Sequence, residues 1–99
     1  MSYKVRFTRS AREDLKRLYR FLVDKDIAAA RKALEALTKA TDLLEDFPFS
    51  CRKADTSNPF LRELVVPFGA AGYVMLFEIE DKQTVTILAV RQQREDDYF

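Results

Sequence analysis

Polar and apolar residues alternate from the start of the chain. Tyr3, Val5 and Phe7 are separated by Lys4, Arg6 and Thr8, a period of two that predicts a strand over residues 1–8 with one apolar face. The period then lengthens. Ala11, Leu15, Leu18, Tyr19, Leu22 and Val23 recur at helical spacing, and Ser10 followed by Glu13 is a capping-box signature for the helix start. Arg12, Lys16, Arg17 and Arg20 lie on the other face, interrupted by Glu13 and Asp14, the pattern of a solvated helix face. Asp24-Lys25-Asp26 breaks the periodicity, and Asp26 is placed to cap a second helix with the apolar stripe Ile27, Ala30, Leu34, Leu37, Thr41 and Leu44. Six alanines in that stretch raise its helix propensity and allow close approach of a neighbouring helix. Pro48 stops it near Phe47. So short a junction predicts an antiparallel helical hairpin.

The remainder reads as a polar loop over residues 49–59 and three strands: 60–66 closed by Pro67, 72–80, and 84–91. Residues 68–71 and Asp81-Lys82 supply the turns, and residues 92–99 are polar except for the final Tyr98-Phe99. The order β-α-α-β-β-β predicts an α+β, two-layer fold. It comprises an N-terminal strand, an antiparallel helical hairpin covering a sheet, and a three-stranded antiparallel meander, all in one domain spanning residues 1–99. The third of these four strands is apolar on both sides, with Tyr73, Met75 and Phe77 on one face and Val74 and Leu76 on the other. Two helices cover one face of such a sheet. The second face is covered either by the loop 49–59 with Phe47 and Phe49, or by a partner protein or a second copy.

Composition removes most enzyme classes. The chain has no histidine, which excludes Ser-His-Asp and Cys-His catalysis and the HExxH zinc site. With only two glycines it has no P-loop and no GxGxxG loop. Cys51 is the sole cysteine, so no internal disulfide forms, and its position beside Arg52 and Lys53 without a histidine base is that of an incidental or buried thiol. Lys+Arg is 17 and Asp+Glu 16, a net charge of +1, where a generic phosphate binder carries a larger basic excess. No apolar run approaches the roughly 20 residues of a membrane span and no secretory h-region precedes the first strand, so the expected compartment is the cytoplasm.

Two features point to a site. The run Arg91-Gln92-Gln93-Arg94-Glu95-Asp96-Asp97-Tyr98-Phe99 leaves an apolar strand and accumulates charge. It is either a solvated tail or a place where Arg91 and Arg94 bind an acidic group, with Tyr98 as a hydroxyl or a stacking ring. Arg62 shares a strand face with Phe60, Leu64 and Val66, a setting that calls for a carboxylate partner such as Glu63, Glu78 or Glu95. Glu95, Asp96 and Asp97 are adjacent in sequence and do not converge on one ion, so no metal is expected.

The chain resembles the RelE/ParE superfamily of bacterial toxins from type II toxin–antitoxin modules, over essentially its whole length. The resemblance is carried by Val5-Arg6-Phe7-Thr8-Arg9-Ser10-Ala11 leading to Asp14-Leu15, by Leu61-Arg62-Glu63-Leu64-Val65-Val66 through Gly72-Tyr73-Val74-Met75-Leu76-Phe77, and by Ile87-Leu88-Ala89-Val90-Arg91-Gln92-Gln93-Arg94-Glu95-Asp96-Asp97-Tyr98. It implies a cofactor-free toxin that arrests growth, of the kind associated with plasmid stabilisation, and a ParD-like or similar antitoxin that wraps over it. ParE-like members poison DNA gyrase, and the residues placed for that contact are Arg91, Arg94, Tyr98 and Phe99. RelE-like members cut mRNA in the ribosomal A site, for which Arg62, Arg91, Arg94 and Tyr98 are the corresponding set; an inactive, antitoxin-binding relative is the third possibility. The chain departs from the nuclease pattern twice: Val74 follows Gly72-Tyr73 where those nucleases often have arginine, and Gln92 stands where close relatives commonly have histidine. Glutamine is no general base at neutral pH. The ParE-like reading is therefore the primary expectation.

Overall fold

The structure, a computed structural model, describes residues 2–68 and 71–93. The elements run β1 (Lys4–Phe7), α1 (Arg9–Lys25), α2 (Ile27–Asp46), a 3-10 turn (Pro48–Ser50), β2 (Arg52–Asp55), β3 (Asn58–Phe68), β4 (Ala71–Ile79) and β5 (Thr84–Gln92). The sheet has the order β1-β5-β4-β3-β2, with β1 parallel to β5 and every other pair antiparallel. It is the expected α+β arrangement of a helical hairpin on a sheet.

One element was not anticipated. Residues 49–59, expected as a polar loop and as one of two alternative covers of the second sheet face, instead form the 3-10 turn, a short edge strand, β2, and the start of β3, with which β2 is hairpinned. The turn between them is closed by Asp55, whose Oδ1 accepts from the Ser57 N–H and hydroxyl at 2.9 Å. Such short polar strands carry no apolar alternation, because an edge strand buries little, and Arg52-Lys53-Ala54-Asp55 reads as a loop for that reason.

Helix boundaries follow the caps. α1 starts at Arg9, not after Ser10: Thr8 is the extended N-cap residue (φ −71°, ψ 166°) and its Oγ1 accepts from Ala11 N at 3.1 Å. Glu13 pairs with Arg9 at 3.8 Å instead of closing a capping box. The hairpin joint is one residue, Asp26, whose N–H donates to Leu22 O while its Oδ1 accepts from Ala28 N at 2.9 Å, ending one helix and starting the next.

The core lies between the hairpin and one sheet face. Phe77, Met75, Ile87, Val85 and Val90 meet Ala11, Leu18, Ala33, Leu37 and Leu44, with Val5 and Phe7 packed at the margin. The alanines of α2 at the contact (Ala30, Ala33, Ala40) let the helix lie close to its neighbours. On the opposite face the residues 49–59 provide no cover. Val74 is buried at 5% exposure, while Leu61, Val65, Leu76 and Ala89 are partly exposed.

β4 also explains one of the two glycines. A Cβ on Gly72 would lie 2.5 Å from Val66 O and 2.9 Å from Gln93 Oε1. The first obstacle is backbone and cannot rotate away. Gly72→Ala is expected to cost about 1–3 kcal/mol by overpacking. Urea unfolding checks it, and a loss below about 0.5 kcal/mol would show that β3 gives way freely.

Candidate functional site

The two described residues of the expected site occupy different places. Arg91, near the end of β5, pairs in register with Val74, whereas Arg62, on β3, pairs with Phe77. Tyr73, Met75 and Phe77 point into the core, so Arg62 roots on the helix-covered face and Arg91 on the other. Three residues of β4 separate their rows, roughly 10 Å. Arg94, Tyr98 and Phe99 lie outside the described residues.

Arg91 is fixed by its surroundings. β1 pairs with β5 only as far as Ile87, so the rest of that β5 edge has no strand beside it. Leu88 is the extra residue of a β-bulge, Leu76 pairing with Ala89 and Phe77 with Ile87. At this point the chain on the other side passes from β1 into α1: Thr8 N donates to Ile87 O at 3.0 Å and Thr8 Oγ1 to Leu88 O at 3.3 Å. Six residues further along α1, Asp14 Oδ2 accepts from Val90 N at 3.0 Å and from Arg91 Nη1 in an ion pair. The helix thus supplies the acceptor a missing strand would have given. Asp14 and Arg91 side chains are 14% and 22% exposed, so this pair is partly withdrawn from water. Asp14 had been read as part of a solvated face. The signal for its role is an aspartate inside an otherwise basic stretch, and only the tertiary contact reveals it.

Glu95, one of the three expected partners of Arg62, lies outside the described residues, and Arg62 pairs with neither Glu63 nor Glu78. Its Nε donates to Pro59 O at 2.7 Å and its Nη1 to Cys51 O at 2.8 Å and Phe49 O at 3.2 Å, with the guanidinium 5.2 Å from the Phe49 ring. It ties the 3-10 turn and the start of β2 to β3. Glu63, on the opposite face, accepts instead from Arg52 Nε at 3.0 Å. The carbonyls were invisible from sequence because the turn that presents them was.

Cys51, beneath this knot, is 7% exposed. Burial pushes its thiol above the ordinary value of 9.0, against weaker lowering by the Ser50 hydrogen bond and the Arg62 charge; burial likewise raises Tyr73. For both acids the folded state holds the proton more tightly than the unfolded chain. Their contribution to stability is complete below the unfolded values and is lost as pH rises through the folded ones. The melting temperature is therefore expected to fall from about pH 9 upward, with Cys51→Ala flattening the first part of the decline. A melting temperature constant from pH 8 to 11 would contradict this.

The hairpin presents a second surface, the helical-hairpin groove where the sequence places an amphipathic antitoxin segment as an alternative to the exposed sheet face. A shallow apolar groove between α1 and α2 is lined by Leu15, Tyr19, Leu22, Ala30, Leu34 and Leu37. Tyr19, Ile27 and Leu34 are 40%, 59% and 48% exposed, more apolar surface than a helix face turned to water ordinarily shows. Among the described residues no three His, Cys, Asp or Glu side chains gather to hold a metal, and no helix is long and apolar enough to cross a membrane.

Comparison with known proteins places this geometry. The family described as "ParE toxin of type II toxin-antitoxin system, parDE" matches residues 5–97. Two toxins of Caulobacter vibrioides are similar to the chain. Toxin RelE3 is 34% identical, covering 86% of this chain and 88% of that protein. Toxin RelE1 is 32% identical over 80% and 82%. A chain of the chromosomal ParDE toxin–antitoxin system of P. aeruginosa shares the fold, with a TM-score of 0.67 at 18% identity over 92% of this chain and 96% of that one.

Proposed function

Because the chain belongs to the ParE toxin family of type II toxin–antitoxin systems, we propose that it arrests growth in the cytoplasm by inhibiting DNA gyrase through protein–protein contact, and that a cognate ParD-like antitoxin neutralises it. The observation that carries the gyrase reading is the separation of Arg62 and Arg91. An RNA-cleaving site needs its cations converging on one phosphate. Here one guanidinium is spent on three backbone carbonyls and the other is rooted on the opposite sheet face and paired with Asp14. The absence of histidine and the net charge of +1 point the same way, since gripping ribosomal RNA favours a basic excess. The contact surface is the end of β5 with Arg91, continued in the chain by Arg94, Tyr98 and Phe99. The apolar hairpin groove and the partly exposed outer sheet face suit an amphipathic antitoxin segment.

The RelE names of the two Caulobacter relatives favour a second reading, a ribosome-dependent mRNA endonuclease using Arg62, Arg91, Arg94 and Tyr98. Two assays on one sample separate them: gyrase supercoiling with detection of cleaved complexes, and translation with primer extension across the message. The expected result is supercoiling inhibited at intact mRNA. A-site cuts with normal supercoiling would overturn it. A chain ending at Gln93, which keeps the Gln93 N to Gly72 O hydrogen bond of 2.7 Å, is expected to stay folded and lose inhibition.

A further inference from the structure

Among the described residues, β5 past Ile87 is a sheet edge with no strand beside it. A bare edge is a row of unpaired N–H and C=O groups, open to any strand that arrives. This one is closed group by group. The Thr8 hydroxyl donates to Leu88 O at 3.3 Å, Asp14 Oδ2 accepts from Val90 N at 3.0 Å, and Arg91 Nη1 donates to Val90 O at 3.2 Å. All three are side-chain contacts, where a neighbouring strand would supply backbone. They close the edge from both sides of the sheet. Asp14 reaches it from α1, which packs on the covered face through Ala11 and Leu18, and Arg91 from the outer face. The Asp14–Arg91 ion pair joins the two halves at Val90.

We propose that Thr8, Asp14 and Arg91 form a cap that withholds the β5 edge from strand addition, and that the uncapped edge pairs with the same edge of a second copy. Self-complementarity selects that occupant. In an antiparallel pair, a residue that turns both backbone groups toward the partner exchanges two hydrogen bonds with the residue opposite. Val90 turns its N–H and its C=O to the open side, where Asp14 and Arg91 meet them. Val90 opposite its own counterpart therefore satisfies four groups about a single two-fold axis. In that register Ala89 faces Arg91 and Leu88 faces Gln92, so no like charges are directly opposed. Joining the sheets also makes the partly exposed outer strip of Leu76 and Ala89 continuous with its copy. Self-association reads this edge whether gyrase or the ribosome is the target.

The test is sedimentation velocity of the full chain from about 10 μM to about 1 mM. The wild type is expected to be monomeric throughout, as is Asp14→Asn, which keeps an oxygen for Val90 N. Asp14→Ala is expected to dimerise with a dissociation constant at or below about 1 mM. Amide hydrogen exchange locates the contact: in dilute Asp14→Ala the Val90 amide should exchange at least about tenfold faster than in the wild type, and regain protection as the dimer forms. Leu44→Ala, a truncation in the α2 core that leaves the cap in place, controls for loss of stability and is expected to stay monomeric. Should Asp14→Ala fail to fold, Asp14→Ser, whose side chain is one bond shorter than the aspartate, takes its place with the same expectation. A variant without the cap that stays monomeric at the highest concentration would overturn the proposal. So would association that Leu44→Ala shares, or a dimer in which Val90 remains unprotected.

Discussion

Asp14→Ala is expected to lower the unfolding free energy by about 2–4 kcal/mol, a large part of the roughly 5–15 kcal/mol available to a domain of this size. The substitution removes the acceptor for Val90 N on a sheet edge that no strand covers, and at the same time leaves Arg91 partly buried without this carboxylate. Helix propensity favours the alanine, and the i,i+3 pair of Asp14 with Arg17 at 3.8 Å is worth only about 0.2–0.5 kcal/mol, so most of the loss comes from the contacts to β5. Asp14→Asn keeps an oxygen for Val90 N and removes the charge; about half the loss is expected. A double-mutant cycle with Arg91→Ala should give a coupling of about 1–3 kcal/mol. Urea unfolding of the four chains measures all of this, and an Asp14→Ala cost below about 0.5 kcal/mol would mean that α1 does not hold the end of β5. The same set separates stability from action. If Arg91 also touches gyrase, Arg91→Ala loses inhibition at temperatures where it is fully folded, while Asp14→Asn retains it.

Arg62→Ala is the second substitution with a large expected effect, about 2–3 kcal/mol. Hydrogen bonds from a charged donor are worth about 1.5–3 kcal/mol each and do not add when one group makes several. Three carbonyls, of Phe49, Cys51 and Pro59, depend on this one guanidinium. Lysine is a poor replacement, since a point ammonium on a flexible stem does not reproduce the planar fork, and Arg62→Lys is expected to recover less than half. The loss should be local before it is global. With the 3-10 turn and β2 untied, alkylation of Cys51 by iodoacetamide at pH 8 should quicken at least about tenfold under conditions where the rest of the fold stays intact, as judged by far-UV circular dichroism. Unchanged alkylation with lowered global stability would place the effect of Arg62 in the whole sheet instead of this segment.

The alternation of Tyr3, Val5 and Phe7, the helical stripes either side of Asp26, and the apolar runs of β4 and β5 determine by themselves a strand, a helical hairpin and a meander. Each of these elements buries a continuous apolar face, and burial on that scale leaves a period that can be counted along the chain. The motifs from Val5 to Leu15, Leu61 to Phe77 and Ile87 to Tyr98 were sufficient to place the chain among RelE/ParE toxins, which the match over residues 5–97 bears out. Tertiary structure alone decided the rest. β2 exists because β3 offers it a ladder and Arg62 holds its start, not because its own residues prefer a strand. The helix start at Thr8, and not Ser10, follows from the hydrogen bonds that Thr8 makes to Ile87 and Leu88, about eighty residues away in sequence. The parting of Arg62 and Arg91 to opposite faces is set by register on β4, where neighbours one residue apart point opposite ways, and their partners, three carbonyls and Asp14, are brought in by segments distant along the chain. Polar contacts of this kind are single pairs between remote residues. They repeat with no period, so the linear pattern carries no trace of them until the fold brings the two ends together.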